Sequence, residues 1–225
     1  MVENYFYSAS TYLNEWISMD RGLRNSLGFR DGAVLDDELA RRNLVEAAAY
    51  YSVSRNFKLQ NDSPRLEAAW EALKLIRKPN DREAAQEAVN ELMEALQEKY
   101  KKSLCSAATK FLWLRFGSPV IIYDTVAWNW MCRQGGCLKS GDYSHYSRAW
   151  VAQFEQRREK IAEACVELPS MQRFMRPNNV PNFELQEAIT SEWFIERVFD
   201  HFMLNEQAEW EWQQNREKRS SSSVQ

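Results

Sequence analysis

An all-α fold is predicted for this chain, and three features of the sequence carry the prediction. Chain breakers are few, with 7 glycines and 6 prolines among 225 residues, which favours long uninterrupted helices. Apolar residues recur at three- and four-residue steps along most of the sequence, the spacing that gathers them on one face of a helix. The one strand-like run, Val120-Ile121-Ile122-Tyr123, is too short to imply a sheet.

A first helix is predicted from Glu3 to about Arg24, because Tyr5, Phe6, Ala9, Tyr12, Leu13, Trp16 and Ile17 form one stripe. Gly22, Gly28 and Gly32 punctuate a loop. Asp36 is then placed to cap a helix carrying Leu39, Leu44, Ala47, Ala48 and Tyr51. Ser63-Pro64 joins an N-cap serine to a proline at the first helical position, starting a helix that runs to about Arg77 and is ended by Pro79. Asn80 to Lys102 reads as a long amphipathic helix with Ala84, Ala88, Leu92, Ala95 and Leu96 as its stripe.

The next helix spans Ser103 to Phe116. Gly117-Ser118-Pro119 breaks it, the run 120–123 passes through the interior, and Asp124-Thr125 opens a helix through about Arg133. Turns at Gly135-Gly136 and Lys139-Ser140-Gly141 lead to a long helix from about Tyr143 to Glu167. The polar loop Arg176 to Pro181 precedes a last helix from about Phe183 to Glu209. The whole is read as a multi-helix bundle of about seven or eight helices. Its length suits one domain or two intimately packed halves. Residues 1–212 are taken as one helical globular domain. The tail 213–225 has a basic cluster and a serine run with nothing to bury, and is expected to be disordered.

With 44% hydrophobic, 13% aromatic and 27% charged residues, the chain has a globular composition. A net charge of −3 supplies no global basic field, so contact with nucleic acid would have to rest on a local basic surface. The N-terminal residues lack a basic region followed by an apolar run, and no window approaches the ~18 uninterrupted apolar residues of a spanning helix. Neither secretion by signal peptide nor membrane insertion is expected. Cys105, Cys132, Cys137 and Cys165 are too sparse for a disulfide framework, so reduced thiols in a cytoplasmic compartment are expected.

The segment Ser103 to Met131 carries the most chemistry. A helix rich in small residues at its start is followed by a glycine break, an apolar pass and an acid that opens a new helix. A carboxylate at the end of an apolar run can act at the mouth of a cleft, where low local dielectric strengthens its pull on developing positive charge. That electrostatic arrangement suits the oxocarbenium-like transition state of glycosidic cleavage.

Phe116-Gly117-Ser118-Pro119-Val120-Ile121-Ile122-Tyr123-Asp124-Thr125-Val126 resembles the end of the catalytic motif in the helix-hairpin-helix DNA glycosylase superfamily, particularly its OGG-like branch. In that motif an apolar run enters an Asp followed by Ser or Thr. The resemblance covers the region Ser103 to Trp128 and implies a helix-hairpin-helix glycosylase core. It implies that Asp124 stabilises the sugar cation once a modified base has been flipped from the stack. The implied partner is DNA, with no cofactor.

The sequence departs from the family in named places. The family hairpin carries a glycine-flanked turn that grips phosphate, whereas residues Ser103 to Ala108 contain no glycine. Ser106 occupies the position of the Schiff-base lysine found in bifunctional members and is a candidate to bind substrate, and Lys110, one turn later, is the second candidate catalytic residue, placed to assist Asp124 by contact with phosphate or base. Iron-sulfur members use four clustered cysteines; only Cys132 and Cys137 lie near the motif here, so no cluster is predicted.

Each candidate has a structural alternative. Asp124 is also placed as an N-cap, and Lys110, among Phe111, Leu112 and Trp113, as a residue snorkelling to water. Trp128 and Trp130 are candidate pocket walls for an extruded base, though most of the nine tryptophans should be core. Lys101 and Lys102, with Lys99, are placed to meet a backbone phosphate or simply to complement a helix dipole. Cys132, Cys137 and His145 match zinc-ligand spacing poorly, and no metal is predicted. His201, in the stripe of Trp193, Phe194, Val198, Phe199 and Phe202, is read as a core residue. From a different class, the competing reading is a non-catalytic helical interaction or defence-associated protein.

Overall fold

The computed structural model describes residues 4–28, 36–57, 66–135, 141–170 and 180–222. Among them every regular element is a helix and no strand occurs. The helices are α1 (Tyr5–Glu15), α2 (Arg21–Ser26), α3 (Asp37–Tyr50), α4 (Glu67–Leu75), α5 (Arg82–Tyr100), α6 (Cys105–Phe116), α7 (Thr125–Arg133), α8 (Tyr143–Glu155), α9 (Arg158–Val166), α10 (Asn182–Thr190) and α11 (Glu192–Ser222). The sequence features at Glu3, Gly32, Ser63-Pro64, Gly136, Lys139-Ser140 and 176–179 lie outside the described residues.

The chain divides into two compact units, Glu15–Tyr123 and Met1–Asn14 with Asp124–Gln225. In the first, α3 begins where Asp36 accepts the amides of Glu38 and Leu39, both at 3.0 Å, the cap expected from sequence. Helix α5 begins at Asp81, whose carboxylate accepts the Ala84 amide at 2.8 Å, and buries Ala85, Ala88, Val89, Leu92 and Leu96. That stripe is rotated slightly from the predicted one, leaving Ala84 and Ala95 half-buried. Arg115 of α6 donates to the carbonyls of Leu73 and Lys74. Its cation thereby satisfies acceptors at the α4 C-terminus, where helix carbonyls lack partners.

The second unit is built on aromatic packing. Tyr5 meets Phe202 and Tyr12 meets Phe194, each with ring centroids 4.8 Å apart. Trp150 stacks on Phe154 at 4.9 Å and stands edge-on to Phe199 at 5.1 Å. Arg133 at the end of α7 donates to Gln207 and to the Glu206 carbonyl of α11.

Four sequence expectations are corrected. Gly22 lies inside α2 rather than in a loop, because a π-helical turn, Trp16–Asp20, carries α1 on into α2. The helix predicted over 143–167 is two helices separated at Gln156-Arg157, where Arg157 turns back onto the Gln153 carbonyl and side chain at 3.0 and 2.8 Å. The helix predicted over 183–209 is broken at Ser191, which adopts extended φ and ψ. The Thr190 and Ser191 hydroxyls there donate to the Gln186 and Ala188 carbonyls at 2.8 and 2.5 Å, competing with the helical ladder. Finally, α11 continues through residues 213–222, beyond the predicted helix end at about Glu209. They are rich in helix formers, and Gln213 donates to Glu209 one turn back at 3.2 Å.

Candidate functional site

The motif helix α6 is buried along almost its whole surface, with only Ser106 and Arg115 half-exposed. Gly117 ends it at φ 67 and ψ −141, a combination open essentially to glycine alone. After Ser118 and Pro119, the four residues Val120 to Tyr123 are buried, from 1% to 8% exposed. This is the interior pass expected from sequence. Thr109 fastens the pass to α6: its hydroxyl accepts the Tyr123 amide at 3.0 Å and donates to the Cys105 carbonyl at 3.0 Å.

Asp124 follows directly, half-buried, in extended conformation at the N-terminus of α7. Its Oδ1 accepts the Val126 amide at 2.9 Å, and its carbonyl accepts the Trp128 amide at 2.8 Å. The acid is therefore an N-cap, the structural alternative raised by the sequence.

Lys110 does not reach water. It is 6% exposed, its Nζ lies 3.5 Å from the Tyr51 carbonyl and 5.8 Å from the centre of the Tyr51 ring. Tyr51 in turn donates from its hydroxyl to Asp20 at 2.6 Å. Asp20 is fully buried, and Arg24, one turn later, sets its guanidinium 4.6 Å from the Trp113 ring centre. This internal chain of Asp20, Tyr51 and Lys110 was not anticipated.

Ser106 is half-buried on α6, and its carbonyl accepts the Thr109 hydroxyl at 3.3 Å. Lys101 and Lys102 are exposed beyond the end of α5, where Lys101, at φ 57, donates its amide to Gln97 at 2.8 Å. They occupy the left-handed helix end, where cations complement the dipole. Lys101, Lys102, Ser106 and Lys110 all belong to the first unit, whereas Asp124, Trp128 and Trp130 belong to the second.

Trp128 is half-buried, but Trp130 is only 1% exposed, edge-on to Phe199 and Phe202 at 6.0 Å and beneath the Arg157 guanidinium at 5.5 Å. Trp130 is a core residue and presents no face on which a base could stack. A surface groove of about 290 Å³, lined by Leu75 to Asn80 with Ala84 and Ala88, includes none of the predicted site residues.

His201 is buried with its ring 5.2 Å from Tyr12, in keeping with a core role. His145 meets Asp142 at 2.6 Å beside the cap of α8, Cys105, Cys132 and Cys165 are free thiols, and Cys137 lies outside the described residues. Among the described residues no group of three or more His, Cys, Asp or Glu is arranged to hold a metal. No described helix is long and apolar enough to cross a membrane. Comparisons with protein-family models, curated proteins and solved structures find no significant match.

Proposed function

We propose that this protein is a DNA base N-glycosylase-like enzyme, in which Asp124 stabilises positive charge on the sugar as the bond between base and C1′ breaks. Water then supplies hydroxyl to C1′ and a proton to the departing base. The observation that carries the reading is the order of elements around Asp124. A buried helix ends at a positive-φ glycine, an apolar strand-like pass follows, and a carboxylate caps the next helix. The resemblance to the OGG-like motif implies this order, and capping by Oδ1 fixes the carboxylate without consuming its charge.

Lys110 enters this reading as a positioning residue. Its ammonium, held at Tyr51, supports the helix from which Thr109 grips the pass leading to Asp124. The nucleobase, and any binding role for Ser106, Trp128, Lys101 and Lys102, belong to the same proposal.

The test is incubation of the purified protein with panels of modified and undamaged DNA, followed by mass spectrometry of released bases. Base release by wild type, abolished in Asp124→Asn with the fold retained, supports the reading; unchanged release by the variant overturns it. The cap bond itself favours a second reading, a non-catalytic helical interaction protein in which Asp124 only starts α7. Absence of release from every panel supports that reading.

A further inference from the structure

The groove beside the α4–α5 connection takes no part in the reading built on Asp124. It lies within the first unit, encloses about 290 Å³ and is lined by Leu75 to Asn80 together with Ala84, Glu87, Ala88 and Glu91. Its walls follow from the sequence. Ile76 leaves α4 in extended conformation, at φ −73 and ψ 130, and Pro79 lacks the N–H that a helix needs, so Arg77 to Asp81 pass to α5 without helical structure. On the α5 side, Ala84, Glu87, Ala88 and Glu91 stand at i, i+3, i+4 and i+7, which is one face of that helix.

The lining specifies its occupant. Ile76, Pro79 and Ala88 are buried and Ala84 is half-buried, while Leu75, at 79%, is the most exposed large apolar residue among the described residues. An aliphatic side chain seated there would cover Leu75 and lose its own contact with water. The charged lining is two cations, Arg77 and Lys78, from the connection and two acids, Glu87 and Glu91, from α5. Arg77, Glu87 and Glu91 are exposed, and among the described residues their side chains form no ion pair or hydrogen bond, with each other or elsewhere. With both signs present in equal number, a nucleic-acid strand or a polybasic tail would set like charge against one wall. A peptide that carries an acid and a base on either side of an aliphatic residue matches both walls and the floor. The backbone groups of Arg77 and Asn80, which make no hydrogen bond among the described residues, can serve its main chain. The volume lies at the low end of the range of about 300–1,000 Å³ for ligand pockets, so it seats a few residues and not a folded domain.

We propose that the groove between the α4–α5 connection and α5 docks a short segment of a partner protein, in which an aliphatic residue seated over Ala84 and Ala88 is flanked by an acid for Arg77 and a base for Glu87 and Glu91. The docking site stands independently of the glycosylase reading.

The probe is an N-acetylated, C-amidated peptide with leucine between an aspartate and a lysine, made in both orders of the charged residues. It is titrated into the isotope-labelled full chain and followed by amide chemical shifts in NMR, with circular dichroism as a fold control for each variant. Saturable shifts confined to Leu75–Asn80 and Ala84–Glu91 are expected with one of the two orders. Arg77→Gln and Glu91→Gln are each expected to weaken binding by about 2- to 5-fold, the range of an exposed ion pair. Once the peptide's aspartate is replaced by asparagine, Arg77→Gln should have no further effect. Ala84→Phe fills the groove with every charge in place and is expected to abolish binding. Absence of a saturable shift at millimolar peptide would overturn the proposal, as would shifts centred elsewhere or unchanged affinity in the three variants. Equal binding by a peptide with both charged residues replaced by asparagine and glutamine would also overturn it. Free leucine matching the peptide's affinity would do the same, assigning the groove to an amino acid.

Discussion

The hydroxyl of Thr109 accepts the backbone amide of Tyr123 at 3.0 Å. Both groups are buried, so this one bond holds the end of the apolar pass against α6. Thr109→Val preserves the side chain's shape and deletes the acceptor. Leaving a buried amide unsatisfied costs about 1–3 kcal/mol, and that loss is expected in urea denaturation. Thr109→Ser should restore most of it; an unchanged midpoint for the valine variant would show that the pass is held by packing alone.

Asp124 separates capping from charge. Asp124→Ala should destabilise the protein by about 0.5–2 kcal/mol, whereas Asp124→Asn should remain close to wild type, since asparagine caps as well as aspartate. If Asp124→Asn is as unstable as Asp124→Ala, the carboxylate's charge and not its cap bond supports α7.

The Arg197–Asp200 pair on α11 is 5% and 7% exposed, with N and O 3.0 Å apart, and Asp200 also accepts the Trp150 indole N–H at 2.9 Å. Removing one member of such a pair strands the other charge, so Asp200→Ala is expected to cost about 3–5 kcal/mol. Replacing both by Arg197→Met with Asp200→Leu is expected to cost less than the sum of the single changes. A double-mutant cycle reads this directly, and strict additivity would contradict it.

Burial pushes the thiols of Cys105 and Cys165 up from 9.0 to about 12. Because the folded pKa lies above the unfolded one, their contribution to stability is complete below pH 9 and is lost as pH rises toward 12. The native protein at pH 8 should therefore leave both unreactive to a thiol reagent, while urea exposes them. Rapid labelling of either in the native state would be incompatible with that burial.

The caps at Asp36 and Asp124 were legible because a cap is local: an acid, a helix-compatible run and two or three residues of spacing are enough. The burial of Trp130 was also legible in principle, since Ala127, Trp130 and Met131 share one face at steps of three and four. The tryptophan's proximity to Asp124 concealed it. The breaks at Gln156-Arg157 and Ser191 were not legible, because neither contains glycine or proline. Arg157 turns toward Trp130 on a different helix, and the Thr190-Ser191 hydroxyls compete with a ladder that propensity alone would continue. Lys110 was misread for the same reason. A sequence reports its apolar neighbours, but its partner is the carbonyl of Tyr51, reached through the tertiary fold.

The length of α11 has a consequence for folding order. At about 1.5 Å per residue its 31 residues extend roughly 46 Å, yet none of residues 208–219 is buried. As a free peptide, the stretch 208–222 would fall at the margin where the cost of starting a helix exceeds the gain from extending it. In the intact chain that cost has already been met by the packed turns upstream, so each further residue needs only to propagate. The exposed last turns of α11 are thus organised by a core that lies one to three turns before them. Loosening the α7–α11 contact at Arg133 would unwind those turns without touching any of their residues.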